Sequence, residues 1–318
     1  MKLIKSLLLL ISVLFFAFSC GKKSDLITIG YIQIVQDPSF EYAKKGLINA
    51  LTDSGFIEGT NYKFIDNNAQ GDISMIPTIL QSLVSQNVDI IITSSTPCMI
   101  SAAQVVKEIP VVFTVAFSPE DMGINPIPEN LYGVYDPYDM TGFVDLITNL
   151  LPNIKKIGLP FNNSERNAEF SAKIIIKELS KRNIEVVTAS VNTSNDILTA
   201  GNYLVDKNVE AIIVAADNVV NLGQALLGKI ATENKIPLFV TEPMSTPNGV
   251  AIGYGVSYNA WGYQSGLKAI ELLKGRTLEN DKKITPLKTM TLMINKEAAE
   301  KQELIIPDSL LKVADVLM

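Results

Sequence analysis

Apolar positions along the chain change their period at regular intervals. Residues 27–34 form an almost continuous apolar run, as in a strand buried on both faces. Ala43, Leu47, Ala50 and Leu51 then recur at helical spacing, and the pattern stops near Gly55. A strand is predicted over 62–67. Asp72 caps a helix whose stripe is Ile76, Ile79, Leu80, Leu83 and Val84. A buried-type strand over 88–93 leads to a short helix opened by Thr96 as hydroxyl cap and Pro97 at its first position. A strand over 111–116 closes this half.

The same plan then repeats. A strand over 156–160 precedes a helix opened by Ser164, with Phe170, Ile174, Ile175 and Leu179 inward. A strand over 185–190 leads to a helix after Asn192-Thr193. A strand over 211–215 leads to a helix capped by Asp217, with Leu222, Leu226 and Ile230 inward, and a strand over 237–241 ends the series. Each half is a βαβαβαβ run, and its crossovers demand a parallel sheet with helices on both faces. The expected fold is α/β: two doubly wound lobes joined by a multi-strand hinge. The Pro- and Gly-rich stretches 118–137 and 246–255 are expected to supply the hinge. A helix over 259–274 returns to the first lobe. The expected division is 20–136 with 257–285 for lobe one, and 137–256 with 286–318 for lobe two.

Residues 1–19 stand apart. Lys2 and Lys5 precede an apolar run that ends at Ala17-Phe18-Ser19-Cys20. The run is shorter than the about 20 residues a spanning helix needs, and reads as a secretory leader. Cleavage before Cys20 leaves a thiol for a diacylglycerol anchor, though Phe18 sits where a smaller residue is usual. Losing Lys2 and Lys5 takes 27 Lys and Arg to 25, against 33 Asp and Glu, a net −8. An acidic chain without basic clusters is a poor partner for nucleic acid. Only Cys98 then remains, so no internal disulfide is expected, and hydrophobic residues at 47% must supply the stability.

Much chemistry is missing. With no histidine, imidazole acid–base work, Ser-His-Asp or Cys-His sites and most transition-metal sites are excluded. No phosphate-binding loop or dinucleotide glycine fingerprint is present. Cys98 reads as a packed small residue. The expectation is a binding protein, with no cofactor, no metal and no catalytic residue. In open parallel sheets ligands lie beyond the carboxyl ends of the strands. That selects the loops 33–40, 94–98, 117–121, 161–165, 217–218 and 242–246. A zwitterion would find donors at two helix starts, Ser95-Thr96 and Asn163-Ser164. Its acceptors would be Asp217 and Glu165, then Glu242. Phe117 and Phe161 are the favoured wall residues, ahead of Phe40, Tyr42 and Tyr254. Gln33 and Asn218 complete the candidates.

Several segments come in the order and spacing of one family: residues 29–35 (IGYIQIV), 68–72 (NAQGD), Ser95-Thr96-Pro97, 109–114 (IPVVFT), 162–165 (NNSE), Ala216-Asp217-Asn218 and 294–299 (INKEAA). From about Leu26 onward the chain resembles ABC transporter substrate-binding proteins of the type I periplasmic-binding fold, and among them the tryptophan-binding, TrpX-like group. The resemblance implies an aromatic or other hydrophobic amino acid, handed to a permease powered by a cytoplasmic ATPase. With Cys20 as anchor, the expected protein is a monomer held by lipid at the outer face of the cytoplasmic membrane. Asp37 replaces a usual His-Pro pair before Pro38, Ser118-Pro119-Glu120 a usual Thr/Ser-Asp-Pro, and Asn163 a serine. The first of these flanks the expected ligand and leaves room for tyrosine, phenylalanine or an aliphatic amino acid. A nucleoside or sugar ligand, and a surface or sensor lipoprotein, are the alternatives.

Overall fold

Parallel pairing follows from the alternation of strands and helices along the chain. The computed structural model describes residues 26–243 and 249–318, so Cys20, the leader and Thr246 lie outside the described residues. The first run is β1 (Ile27–Gln33), α1 (Pro38–Asp53), β2 (Tyr62–Asn68), α2 (Ile76–Ser85), β3 (Ile90–Ser94), α3 (Thr96–Val105), β4 (Val111–Phe117) and β5 (Leu131–Asp136). The second is α4 (Thr141–Leu150), β6 (Lys156–Phe161), α5 (Arg166–Ser180), β7 (Glu185–Ser190), α6 (Ile197–Asp206), β8 (Ala211–Val214), α7 (Asn218–Leu222), α8 (Gln224–Glu233), β9 (Leu238–Val240) and β10 (Ile252–Val256). The chain ends with α9 (Tyr258–Leu273), α10 (Asn280–Lys283), β11 (Ile284–Pro286), β12 (Met290–Ile294), α11 (Lys296–Lys301), α12 (Asp308–Leu311) and β13 (Val316–Leu317).

Two sheets result, in the orders β11-β5-β4-β3-β1-β2 and β13-β12-β10-β9-β8-β6-β7. Among the described residues only β10 and β12 pair antiparallel. The chain passes between the sheets three times: after β5, after β10, and between β11 and β12. Helix α9 packs on α1 beside the six-stranded sheet. There the backbones nearly touch, because a Cβ on Gly262 would lie 1.7 Å from the Ala43 carbonyl oxygen. One apolar cluster runs from Ile34 and Phe113 of the first lobe to Ile157 and Phe239 of the second, so the lobes are in contact.

Local details correct the sequence reading. The stretches 118–137 and 246–255 are not loops throughout, since they contain β5 and β10. Gly133 and Gly255 mark close approaches inside the sheets, whereas Gly123 and Gly249 lie outside strands with positive φ. A Cβ on Gly133 would meet the Phe113 ring at 2.5 Å, and one on Gly255 the Thr241 carbonyl oxygen at 2.0 Å. The helix after Asp217 is broken at Gly223, which shifts the phase of its second part. Leu222 and Leu226 therefore face outward, while Leu227 and Ile230 are buried.

Candidate ligand-binding site

The lobes enclose a cavity of about 30 Å³ at the carboxyl ends of the parallel strands. Its wall is built element by element. Phe40 comes from α1, Thr96 from the start of α3, and Val115, Ala116 and Phe117 from the end of β4. Asp136 ends β5, Asn167 lies in the first turn of α5, and Asn218 begins α7. Thr241 and Glu242 follow β9, and Tyr258 and Trp261 open α9.

Backbone strain lies in the wall and next to it. Val115 has φ 51° and Ser95 φ 136°, conformations costly for residues with a Cβ and for a β-branched one above all. Val115 sits where the β4–β5 register shifts between Phe113 and Ala116, a bulge that turns the strand end into the cavity. Ser95, rather than Thr96, caps α3: its hydroxyl accepts from the Cys98 N–H at 3.3 Å. Thr96 Oγ1 accepts from the Phe117 N–H at 3.2 Å, which leaves the threonine hydroxyl free to donate. Cys98 is fully buried, and burial pushes its thiol up to about 12.

Aromatic rings form the apolar part. Phe117 meets Tyr138 edge-on at 4.9 Å and Phe170 at 5.2 Å, the latter across the cleft. Tyr258 meets Trp261 edge-on at 5.7 Å, and Trp261 Nε1 donates to the Val134 carbonyl at 2.6 Å. That bond fixes the indole at the seam between the lobes.

Two carboxylates face the cavity. Burial pushes Asp136 up to about 6, against the Tyr138 N–H that donates to its Oδ1 at 2.7 Å. Burial pushes Glu242 up to about 8, helped by the charge of Asp37 and opposed by the Tyr258, Asn221 and Ser39 side chains beside it. Among the described residues no Lys or Arg lines the cavity. Asn167 Nδ2 donates to Glu165 Oε2 and to the Ala216 carbonyl, both at 3.1 Å. Its buried Oδ1 has no partner among the described residues. The arrangement suits a cationic group held by carboxylates, beside a flat apolar body.

The sequence candidates divide. Thr96, Phe117, Asn218 and Glu242 line the cavity, with Phe40 from the second rank. Asp217 stands behind it. Its Oδ1 accepts from Val219 and Val220 N–H, and its Oδ2 from Asn162 N–H at 2.6 Å. Burial and the Glu165 charge push Asp217 up to about 7, against those three donors. Glu165 accepts from Asn167 and from Asn218 Nδ2 at 2.7 Å, and burial raises its pKa. Gln33 is buried, with Tyr31 Oη donating to its Oε1. Asn163 and Ser164 are exposed, and Glu165 rather than Ser164 occupies the cap position of α5. Phe161 is half-buried outside the wall, Tyr42 is exposed, and Tyr254 stacks on Phe143 instead. Sequence reasoning missed Asp136, Asn167, Thr241, Tyr258 and Trp261. Asp136 ends a strand that was read as hinge. The hydroxyl cap Ser257 before Tyr258 was the available signal for the start of α9.

Residues 28–317 match the family described as ABC transporter substrate binding protein. A tyrosine-binding protein of Clostridioides difficile (strain R20291) is 33% identical over 273 residues, 85% of this chain and 79% of that one. The ABC domain in complex with L-Trp from Streptococcus pneumoniae has a TM-score of 0.84 at 25% identity, covering 92% of this chain and 100% of that one. A ligand-free, open substrate binding protein with adhesive properties from Clostridium difficile has a TM-score of 0.69 at 26% identity, covering 92% and 99%. More distant solute-binding proteins share the type I periplasmic-binding fold alone.

Proposed function

The chain belongs to the family of ABC transporter substrate-binding proteins, and from that premise we propose that it captures an aromatic amino acid between its lobes for an ABC importer. Members of the family bind solutes outside the cytoplasm rather than transform them. The observation that carries the choice of ligand is the cavity wall. It combines Phe40, Phe117, Tyr258 and Trp261 with two carboxylates and, among the described residues, no basic side chain. An aromatic side chain matches the rings. An ammonium matches the carboxylates. The ligand's own carboxylate finds a neutral donor in the Thr96 hydroxyl at the N-terminal end of α3. The tyrosine-binding relative and the L-Trp complex support the same class of ligand.

The two lobes, 20–136 with 257–285 and 137–256 with 286–318, are the bodies that open and close about the three crossings. The conformation lies nearer the L-Trp complex than the open, ligand-free relative, with TM-scores of 0.84 and 0.69 at near-equal identity. A thermal-shift screen of the twenty amino acids tests the ligand: tyrosine, tryptophan or phenylalanine should raise the midpoint most. A shift with a nucleoside or sugar and with no amino acid would overturn this reading.

Delivery to a permease requires retention at the membrane, and Cys20 is the anchor we assign. The motivating feature is the apolar run ending at Ser19-Cys20. Two acyl chains hold a protein firmly where one does not. Cys20→Ala should move the protein from the membrane fraction to the soluble one. A variant that stays on membranes through carbonate washing would show an uncleaved apolar segment instead.

A further inference from the structure

The cavity holds more negative charge than one zwitterion neutralises. Asp136 and Glu242 both face it, and Asp37 lies close enough to act on Glu242. These groups come from different lobes. Asp37 caps α1 in the first lobe, with its Oδ1 accepting from the Ser39 N–H at 2.8 Å. Glu242 follows β9 in the second lobe and is 8% exposed. Closing the cleft therefore brings a first-lobe carboxylate up to a second-lobe one and removes water from both. Two like charges at a dry site cannot both be kept cheaply. A ligand ammonium can compensate one carboxylate, and among the described residues no side chain of the wall supplies a second cation.

Asp136 and Glu242 differ in what surrounds them. Asp136 lines the cavity and is only half-buried, and its one donor among the described residues is the Tyr138 N–H. Glu242 is enclosed. Tyr258 from the start of α9, Asn221 from α7 and Ser39 from α1 stand beside it, and the charged or titratable groups facing it are Asp37 and Tyr258. Tyr258 in turn feels Glu242, Asp37 and Asp136. The enclosed carboxylate is the one that must give up its charge, and the open one is placed to meet the cation.

We propose that Glu242 takes up a proton when the lobes close over the ligand and enters the complex as a neutral donor, while Asp136 alone carries the charge that meets the ligand's ammonium. The inference rests on the aromatic amino-acid reading above. In the open protein Glu242 is hydrated and ionised, as an ordinary glutamate is at neutral pH. In the closed complex the proton sits on a Glu242 oxygen, taken from the buffer, and no other bond changes. Closed Glu242 titrates near 8 and closed Asp136 near 6, which agrees with this division at pH 7. The sign follows. The closed form binds more protons than the open one between the ordinary glutamate value and about 8. Affinity therefore falls as pH rises through that window and levels off above it.

Calorimetric titration of the full chain with tyrosine and with tryptophan, at pH 7 in buffers of different ionisation enthalpy, counts the protons directly. The parent should take up about one proton per ligand bound, as a carboxyl moving from its ordinary pKa to near 8 requires. Glu242→Gln, which keeps the shape of the neutral acid but cannot titrate, should bind with no proton uptake and lose the fall of affinity with rising pH. Asp136→Asn should weaken binding roughly thirtyfold or more, as when a buried cation loses its charged partner. Both variants are checked for parental melting behaviour, and the proton count of the parent stands whether or not they fold. A parent that binds without proton uptake overturns the inference and leaves the ligand reading intact. So does a loss of affinity in Glu242→Gln with none in Asp136→Asn. A parent that binds neither amino acid overturns both.

Discussion

Asp217 shows how one carboxylate can suit two roles that only its surroundings separate. By position it follows a strand at the cleft side of its sheet, where an ammonium acceptor belongs. Its oxygens are instead taken by three backbone N–H groups, two at the start of α7 and one from Asn162 in the loop after β6. It ties two loops of the second lobe together behind the cavity wall. Asparagine caps a helix about as well as aspartate, but its NH₂ would face the Asn162 N–H. Asp217→Asn should therefore cost about 1–3 kcal/mol of stability, as a buried donor left unpaired does, with ligand affinity close to the parent's. Chemical denaturation and calorimetry check this. A variant of parental stability that binds poorly would return Asp217 to the site. The same distinction explains the wall. Thr96, Phe117, Asn218 and Glu242 were legible because their loops follow predicted strands. Asp136 and Asn167 were not, since the first ends an unrecognised strand and the second has its Oδ1 aimed inward only by the turn of α5.

At the scale of elements, the contact between α1 and α9 binds the last third of the chain to the first. Gly46 and Gly262 let the two backbones approach, and a Cβ at either would fall within 2.0 Å of a facing carbonyl oxygen. Gly262→Ala, helpful to an isolated helix, must here push the helices apart. The expected result is a loss of about 1–3 kcal/mol or more, the range for overpacked cores, seen as a lower melting temperature. Because α9 also carries Tyr258 and Trp261, ligand affinity should fall with it. Unchanged stability would mean that α9 shifts along α1 without cost. Both glycines were visible in the sequence, but only the pairing of two helices over 200 residues apart gives them this meaning.

At the scale of the whole molecule, the proposed function joins binding to closure. Phe117 touches the cavity on one side and reaches Phe170 of the opposite lobe on the other, with ring centres 5.2 Å apart. Phe170 is absent from the cavity wall, so its ring contributes to affinity through the closed state. Phe170→Ala should weaken binding about two- to tenfold, the worth of one aromatic pair beyond its buried area. Small-angle scattering should show a ligand-saturated parent more compact than the free protein, and a variant that needs more ligand to reach the same size. Equal affinity in parent and variant would mean the ring pair plays no part in closure.

The sequence by itself determined the α/β class, the two repeated lobes and the side of each sheet on which the site lies. Those follow from period and order: buried parallel strands must be apolar throughout, and their crossovers must be helices. It did not determine which residues line the cavity. That was decided by contacts between distant segments: a bulge that turns Val115 inward, a third crossing that sets Tyr258 and Trp261 at the seam, and two lobes meeting over Asp136 and Glu242. Hydrophobic period is a property of neighbours in the chain. The charge state and direction of a buried side chain are properties of what tertiary structure packs around it.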